Sequence, residues 1–348
     1  MPLFGNALSA FEMKISFDHH LPFFLAHGGL QIQIEQSKAA LERLAVEITY
    51  AEFWNSSSDA EIIHFFGRCA EAYLDFAHEK GKCVVMSELL SATASRSRLK
   101  LALQRGLIAG ARSLLPQTFT TRMAWRSFRK ADAVIALTPF EARLMVELFD
   151  ADTERVHVVP NGVEDCFFSR KSGKREEWLV CTATIRPLKR VVELAEAAIL
   201  GRVPVKFIGR PYSEKDPYYL KFRQLCRQEP DLLEYTGPID DRDQLASIYS
   251  RAAGFVLLSS MEGQSLSSLE AAACGCPLLL ADLPWARESF GQSASYCPVR
   301  ATAAETASIL KAFVAHIDHA PVPPVPLRWS DVAGKILSIY QQLLKSER

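Results

Sequence analysis

The sequence lacks the features that would mark a metal-binding, secreted or membrane-spanning chain. Its eight cysteines include no CxxC pair and no Cys/His grouping with the spacing of a zinc site, so a reducing compartment is expected. No apolar run approaches the roughly 18 residues that a membrane span requires, and no secretory signal pattern opens the sequence. Forty basic residues balance forty acidic ones, which gives no indication of a nucleic-acid partner. We therefore expect a cytoplasmic protein.

The pattern that is present is an alternation of short apolar segments with helical stretches. Such alternation is typical of βαβ units and parallel sheets. At 348 residues the chain also exceeds the size at which one hydrophobic core usually stops growing. The sequence therefore predicts an α/β fold with two doubly wound halves. The predicted strands are 13–17, 47–50, 62–66, 83–86, 133–137 and 156–159 in the first half, and 178–183, 205–208, 233–235, 255–258 and 277–280 in the second.

Polar and proline-rich stretches mark the expected domain boundaries. Pro160-Asn161-Gly162 is a turn signal, and residues 169–175 form a polar run without strand or helix pattern, where we place the hinge. A second linker at 321–326 precedes an amphipathic helix predicted over 329–344. The predicted division is 1–165 for the first domain, 176–325 for the second domain and 326–348 for a C-terminal helix.

The stretch 259–277 carries the strongest chemical signal. It follows an apolar strand and opens a helix of small residues, with Glu262 in the loop and Glu270 inside the helix. Carboxylates bind hydroxyl groups and a helix N-terminus binds phosphates, so this arrangement suits a diphosphate sugar. A Glu-capped helix with an incidental second acid is the alternative interpretation.

This segment resembles the Glu-x7-Glu signature of retaining glycosyltransferases of family 4, which have the GT-B fold of two Rossmann-like domains facing a cleft. The resemblance implies that Glu262 lies against the donor sugar and that Glu270 binds the ribose hydroxyls. It also implies donor contacts at Gly209 and Ile239. The remaining implied donor-binding residues, which offer backbone amides, are Gly263, Gln264, Ser265 and Leu266.

A cationic loop follows the first strand of the second half. Lys189 matches the lysine of the family's Arg-x4-5-Lys loop, whose cations hold the donor diphosphate. Thr184 stands at the usual arginine position, so Arg186 or Arg190 is expected to replace it. The resemblance implies that Lys189, Arg186 and Glu262 are catalytic and that Arg190 binds the donor. Solvated cations beside a helix start are the alternative interpretation.

Weaker matches extend the resemblance over nearly the whole chain. They include the hinge-like segment 158–165, the strand at 131–136, Gly237-Pro238 before a helix, and Trp329 in the last helix. In similar enzymes that helix crosses back onto the first domain. The first domain is then expected to bind the acceptor and the second the nucleotide sugar.

Candidate acceptor contacts lie in the first half. His27, Gly28 and Gly29 resemble a glycine loop near the reaction centre, although a plain turn would look similar. His64 ends a predicted strand at the cleft, or is a hydrogen-bonded core histidine. Glu88 stands where relatives often carry a histidine, and it contacts the acceptor or caps the following helix.

No resident cofactor and no metal ion are expected. Asp241-Arg242-Asp243 has the form of a metal-binding Asp-x-Asp pair, but its position at a helix start favours N-terminal capping. The expected co-substrate is a UDP- or GDP-sugar, and the expected partner is a sugar or a lipid-linked acceptor.

The segment 89–130 carries nine Lys or Arg residues and no Asp or Glu, while Leu103, Leu107, Ala111 and Leu114 recur at helical spacing. Such a helix can lie on an anionic membrane or meet a lipid-phosphate acceptor. A core-facing helix with a solvated basic face is the alternative interpretation.

The expected function is therefore retaining, metal-independent transfer of a sugar from a nucleotide-diphosphate sugar to an acceptor hydroxyl, in polysaccharide or glycolipid biosynthesis. A nucleotide-sugar epimerase or a sugar phosphorylase could use the same fold, and a scaffold without activity would fit the departures at Thr184 and Glu88. No G-x-G-x-x-G follows the first strand of either half, which disfavours a dinucleotide dehydrogenase.

Overall fold

The computed structural model describes residues 13–23, 28–55, 57–114, 116, 121–168 and 175–346. These residues form two six-stranded parallel sheets, with the strand orders β2-β1-β3-β4-β5-β6 and β12-β11-β10-β7-β8-β9. The first sheet lies within 1–165 and the second within 176–325. Most of the predicted hinge, 169–174, lies outside the described residues. The strands are β1 (Lys14–His19), β2 (Glu47–Tyr50), β3 (Ile62–Phe66), β4 (Cys83–Ser87), β5 (Ala133–Ala136), β6 (Val156–Val158), β7 (Leu179–Thr182), β8 (Val205–Ile208), β9 (Leu233–Gly237), β10 (Gly254–Leu257), β11 (Leu278–Ala281) and β12 (Ser295–Cys297).

Helices connect the parallel strands and cover both faces of each sheet. The first half contains α1 (Gly29–Glu42), α2 (Glu71–Glu79), α3 (Ser91–Ala94), α4 (Arg98–Leu114), α5 (Ser127–Lys130) and α6 (Pro139–Phe149). The second half contains α7 (Val191–Gly201), α8 (Pro217–Gln228), α9 (Arg242–Arg251), α10 (Leu266–Ala273), α11 (Pro284–Phe290) and α12 (Ala303–Ala315), and the chain ends with α13 (Trp329–Ser346). Short 3-10 turns occur at Thr153–Arg155, Asp165–Phe167, Pro187–Lys189 and Ile317–His319. Over the part of the chain described, none of the helices combines the length and the apolar character needed to cross a bilayer.

The predicted alternation of strands and helices is confirmed. All eleven predicted strands are present, with their ends displaced by at most two residues. The prediction missed β12, which has three residues and pairs with β11 at the sheet edge. So short a segment is not a distinct apolar run.

The core of the first half has two layers that reflect the alternation of side chains along a strand. In β4, Val85 packs toward the face that α1 and α13 cover, whereas Val84 and Met86 pack toward the face that α2, α5 and α6 cover. All five β4 residues are buried, which explains why this strand reads as a continuous apolar run.

The last helix crosses back onto the first half, as predicted. Trp329, Val332 and Ile336 of α13 are buried in the same core cluster as residues of β1 and β2. The start of α13 is held at the segment between the sheets, where the Val163 amide donates to the carbonyl of Leu327 at 2.9 Å. At neighbouring position 162 only glycine fits, because a Cβ would lie 2.7 Å from the Cα of Trp329.

Helix α4 faces the core through Ile108 and Leu101, so the core-facing interpretation is wrong only for the predicted stripe of leucines. Leu103, Leu107 and Leu114 are 61%, 74% and 83% exposed, and Ile108 is the buried residue of this helix. The physical reason is that other helices already cover the sheet face, so α4 packs on α6 in an outer layer. Leu103, Leu107 and Leu114 point away from the domain, whereas Leu101 and Ile108 pack against its core.

Candidate active site

A cavity of about 590 Å³ lies between the two halves, at the carboxyl ends of the strands of the second sheet. Loops that follow parallel strands converge at this edge, which is where open α/β sheets bind ligands. The first half contributes Gly28, Gly29 and α1, and the second half contributes the loops after β7, β8, β9 and β10. The lining includes Gln31, Glu35, Gln36, Glu164, Thr182, Thr184, Lys189, Gly209, Arg210, Ile239, Asp240, Arg242, Glu262, Gln264, Ser265, Leu266, Ser267 and Glu270.

Lys189 and Glu262 form an ion pair in this cavity. Lys189 ends the Pro187–Lys189 turn after β7, and Glu262 lies in the loop after β10. The two loops are joined because the Ser260 amide donates to the Leu188 carbonyl at 2.8 Å. The structure therefore brings together two residues that the sequence placed in separate motifs.

The N-terminus of α10 opens into the same cavity. Ser265 caps the helix, its hydroxyl accepting a hydrogen bond from the Ser268 amide at 3.3 Å. Ser265, Leu266 and Ser267 line the cavity, and the first amides of a helix have no intrahelical acceptor. The helix start therefore offers free donors and positive potential to an anion.

Residues around this helix start also join the two halves. The Gln264 side-chain oxygen accepts from the Asn161 amide at 2.7 Å, and Leu266 packs into the core cluster of the first half. Gly263 lies against the first half rather than in the cavity lining, since a Cβ there would be 2.9 Å from the Ser91 hydroxyl. Gly263 therefore does not line the cavity, although the resemblance implied a donor contact there.

Glu270 of α10 also lines the cavity and is 4% exposed. Its carboxylate pairs with Arg242 and accepts a hydrogen bond from the Tyr249 hydroxyl at 3.3 Å. Burial raises the pKa of Glu270, and the neighbouring Arg242 opposes that rise. Arg242 also pairs with Glu164, its Nε lying 3.0 Å from Oε2.

The sequence reasoning missed Arg242 and Glu164 as cavity residues. In the sequence, Arg242 stands out only as the middle residue of a possible metal-binding pair. The capping interpretation of that pair is confirmed for Asp241, whose carboxylate accepts from the Gln244 amide at the start of α9. The available signal was a cation at the start of the helix that follows a strand of the second half.

Gly209 and Ile239 both line the cavity, where the resemblance placed them. Gly209 has a φ of +142°, and a Cβ at this position would lie 2.0 Å from the Ala183 carbonyl oxygen. Close approach of two backbone segments therefore requires glycine here. Beside it, Arg210 pairs with Asp240 at 3.0 Å.

The two arginines proposed to replace the family's usual arginine have different positions. Arg186 lines an adjacent cavity of about 280 Å³, where its guanidinium lies 5.4 Å from the ring centre of Tyr212. Lys189 and Thr184 line both cavities. Arg190 lines neither, and its guanidinium donates to the Val299 carbonyl at 2.6 Å. The structure therefore places Arg186 in a cavity that Lys189 also lines, whereas the side chain of Arg190, the next residue after Lys189, is bound to Val299 instead.

Of the candidate acceptor contacts, some line the cavities and others do not. Gly28 and Gly29 line both cavities, whereas His27 lies outside the described residues. His64 is fully buried between the Tyr340 and Ser87 hydroxyls, and burial lowers its pKa to about 3. It is thus a hydrogen-bonded core histidine, the alternative that the sequence left open, and it does not face the cleft.

Glu88 pairs with Arg68 at 3.3 Å and lines neither cavity. Burial raises its pKa, and Arg68 opposes the rise. A second buried carboxyl, Glu141, was missed, although Thr138-x-x-Glu141 has the form of a capping box. Its Oε1 would lie 3.3 Å from a Cβ at Gly263, so Glu141 lies at the contact between the two halves.

Among the residues that the structure describes, no group of three or more His, Cys, Asp or Glu side chains is placed to hold a metal ion. The site is instead built from ion pairs, backbone amides and hydroxyl groups.

Comparison with known proteins agrees with this architecture. Residues 46–165 match the model of Glycosyltransferase Family 4, and residues 177–315 match that of Glycosyl transferases group 1. These adjacent matches span most of the chain. The chain belongs to glycosyltransferase family 4.

Curated relatives resemble parts of this family 4 glycosyltransferase. A D-inositol 3-phosphate glycosyltransferase of Geodermatophilus obscurus is 32% identical over 173 residues, which is 44% of this chain and 38% of that protein. The serotype-specific mannosyltransferase WbdA of Escherichia coli is 24% identical over 246 residues, 64% of this chain and 30% of that protein. The matches thus span less than half the length of these relatives.

Solved structures confirm that the glycosyltransferase has the GT-B fold. The sucrose-phosphate synthase of Thermosynechococcus elongatus superposes with a TM-score of 0.70 at 15% identity, covering 96% of this chain and 100% of that one. HepE of Anabaena, solved in complex with UDP, superposes with a TM-score of 0.64 at 15% identity, covering 96% and 99%. HepE has also been solved with UDP-glucose.

Proposed function

We propose that this family 4 glycosyltransferase moves a sugar from a nucleotide-diphosphate sugar to an acceptor hydroxyl with retention of the anomeric configuration. The observation that carries the proposal is that Lys189, Glu262, Glu270 and the N-terminus of α10 converge on one cavity between the two halves. Its volume of about 590 Å³ lies within the range of small-molecule sites.

Each group has a role that suits one part of the donor. The buried carboxylate of Glu270 accepts hydrogen bonds from the ribose hydroxyls. The amides at the start of α10, together with Lys189, bind the diphosphate. Glu262, which Lys189 holds in place, lies against the transferred sugar. Arg186 adds positive charge from the adjacent cavity.

The proposed reaction requires positioning and charge stabilisation rather than a protein nucleophile. The acceptor hydroxyl attacks the anomeric carbon on the face that the diphosphate leaves, the bond from that carbon to the diphosphate oxygen breaks, and the diphosphate takes up the hydroxyl proton. Lys189 and the helix N-terminus stabilise the negative charge that develops on the leaving group. In this proposal they perform the role that a metal ion performs in other transferases.

The donor is proposed to be a UDP- or GDP-sugar, and the acceptor a sugar or a lipid-linked sugar of polysaccharide or glycolipid biosynthesis. The complexes of HepE with UDP and with UDP-glucose support testing UDP-sugars first.

Nucleotide binding provides the first test. Isothermal titration of the wild-type chain with UDP, GDP and ADP is expected to show binding of one of them, with a large loss in Glu270→Gln. Glu234→Gln is the matched control, because Glu234 lies on the surface in an ion pair with Lys206. Absence of binding to all three nucleotides would overturn the proposal.

Product analysis then separates transfer from its alternatives. Incubation with the donor and candidate acceptors should release the nucleoside diphosphate and form a glycoside whose anomeric configuration, read by NMR, matches that of the donor. Conversion of the donor alone into an epimer would instead identify an epimerase, and inversion would contradict retention.

We further propose that α4 docks on an anionic membrane. Leu99, Leu103, Leu107 and Leu114 are 61% to 83% exposed and fall within about 80° of one another around the helix axis. The surrounding segment 89–130 has nine cations and no acid, so an anionic bilayer complements it better than a second copy of this chain would.

The start of α4 lies close to the cleft between the two halves. The helix begins three residues after Ser95, whose hydroxyl accepts from the Glu262 amide at 3.4 Å. A bilayer against α4 would therefore lie on the side of the first domain that adjoins the site, which suits a lipid-linked acceptor.

Co-sedimentation with vesicles tests the docking. Vesicles containing 30% phosphatidylglycerol should retain the wild-type chain more than pure phosphatidylcholine vesicles do, and Leu103→Gln/Leu107→Gln should abolish the difference. Leu200→Gln, an exposed leucine of α7, is the matched control. Equal retention on both vesicle types would contradict the proposal.

A further inference from the structure

We infer that Arg242 is a positioning residue that fixes the carboxylate of Glu270 for the nucleotide and connects this carboxylate with the first domain. The inference rests on the proposed function, because it concerns the ribose end of the same cavity. Nothing in the Glu-x7-Glu pattern points to Arg242, which lies 28 residues before Glu270 and on a different helix.

The contacts of Glu270 leave its carboxylate one orientation. Oε1 is paired with Arg242 and Oε2 accepts from the Tyr249 hydroxyl. A carboxylate offers about four acceptor positions, so both oxygens keep positions for ribose hydroxyls while Arg242 and Tyr249 hold the group in place. Arg242 also lines the cavity, so the pair faces the space where the nucleotide would lie.

The burial of Glu270 makes this partner necessary. A buried carboxylate without a cation tends to take up a proton, and a protonated carboxyl is a weaker acceptor for hydroxyl groups. The charged and titratable groups that face Glu270 are Arg242, Glu164 and Tyr249. Arg242 is the cation among them, and it opposes the rise that burial causes in the pKa of Glu270.

Arg242 also extends the network across the segment between the two sheets. Its Nε lies 3.0 Å from Oε2 of Glu164, and Oε1 of Glu164 accepts from the Gln36 side-chain amide at 2.9 Å. The guanidinium rests 4.8 Å from the ring centre of Phe167. Gln36 belongs to α1, so four side chains connect the ribose end of the cavity to the first domain.

This chain of contacts predicts that nucleotide binding changes the position of the two domains relative to each other. Two carboxylates share one guanidinium, and hydroxyl groups arriving at Glu270 redistribute the hydrogen bonds of Arg242 toward Glu164. A planar guanidinium can bind both carboxylates at once, whereas the ammonium of lysine is a single point of charge. Lysine at position 242 is therefore expected to restore charge but not the two-sided geometry.

Titration with UDP, or with whichever nucleotide the wild-type chain binds, tests the positioning role. Arg242→Met is expected to weaken binding about 10- to 100-fold, and Arg242→Lys to recover part of the loss. Arg287→Met is the matched control, since Arg287 pairs with Asp282 and lies over the Tyr296 ring in the same domain, away from the cavity. Circular dichroism and thermal unfolding establish that each variant is folded.

The pH dependence gives a readout that simple loss of packing would not change. Binding should decline as pH falls through the pKa of Glu270, and in Arg242→Met or Arg242→Lys the midpoint should move to higher pH. In Glu270→Gln the pH dependence should disappear. If Arg242→Met is unfolded, Arg242→Lys carries this measurement.

Small-angle scattering tests the connection to the first domain. At nucleotide concentrations that saturate each variant, the change in radius of gyration on binding should be smaller in Glu164→Gln and in Gln36→Ala than in the wild-type chain. An unchanged response in both variants would overturn the interdomain part of the inference.

The outcomes also separate this inference from the proposed function. A wild-type chain that binds no nucleotide overturns both. A wild-type chain that binds, with Glu270→Gln impaired and Arg242→Met equal to the wild type in affinity and pH profile, overturns only the role of Arg242.

Discussion

The ammonium group of Lys189 is paired with the carboxylate of Glu262, 73 residues further along the chain. The pair lies in the cavity between the two halves, where two loops are joined by the hydrogen bond from Ser260 to Leu188. In the proposed reaction this cation offsets negative charge on the departing diphosphate, while the paired carboxylate keeps the cation in one place.

Lys189→Ala should reduce kcat by about 10²- to 10³-fold, because charge that develops on the leaving group loses its nearest cation. The thermal midpoint should change little, since Lys189 is partly exposed. Lys221→Ala, which removes a surface ion pair with Glu196, is the control and should keep wild-type turnover. Wild-type kcat in Lys189→Ala would refute the proposed role.

Gly209→Ala should lower the free energy of unfolding by on the order of 3 kcal/mol, through a strained φ and a Cβ 2.0 Å from the Ala183 oxygen. Gly81→Ala is the matched control. Its φ of +65° is also left-handed but nothing lies within 4 Å of the added atom, so about 1 kcal/mol is expected. Urea unfolding measures both free energies. Equal losses of stability in the two variants would show that the backbone around Gly209 shifts to accommodate the added Cβ.

Glu141→Gln should remove a pH dependence of stability. Burial raises the pKa of Glu141 from 4.5 to about 7, so between these values the folded chain keeps a proton that the unfolded chain releases. Stability should therefore fall as pH rises from about 4.5 to 7, by up to about 3 kcal/mol, and level off above.

In Glu141→Gln this contribution to the fall should be absent, because the amide carries no charge at either pH. Glu147→Gln, an exposed residue of the same helix, should keep the wild-type slope. Urea unfolding at pH 5 and pH 8 measures the difference, and an unchanged slope in Glu141→Gln would contradict the assignment.

Tyr340→Phe should cost about 1 to 3 kcal/mol, because it leaves Nδ1 of the buried His64 without its partner. The loss should appear as a lower urea midpoint and faster hydrogen exchange in α13. Tyr50→Phe, at a half-exposed tyrosine of β2, should be nearly neutral. Wild-type stability in Tyr340→Phe would mean that water replaces the hydroxyl.

Much of the fold could be predicted because its signals are local. A parallel strand buried on both faces is a short apolar run, and a connecting helix has its own periodicity, so eleven of the twelve strands were placed. The loop and helix start at 259–277 were equally local, and the structure places Glu262, Gln264, Ser265, Leu266 and Glu270 around one cavity.

Other parts of the site depend on contacts between distant segments. Arg242 and Glu164 are 78 residues apart and became part of the cavity only because α9 and the segment between the sheets meet there. The same holds for His64, which has the sequence context of a cleft residue until α13 folds back and covers it with Tyr340. Side-chain partners of this kind leave no periodic pattern in the sequence.

The sequence by itself determined the two-sheet α/β organisation and the segment that carries Glu262 and Glu270, because apolar periodicity and helix starts depend on a few neighbouring residues. Only the tertiary structure decided which cations reach the cavity, that Leu103 and Leu107 of α4 face solvent, and that Glu270 has Arg242 as its partner. Those outcomes depend on how whole elements pack against one another, and packing joins side chains that no short stretch of sequence contains.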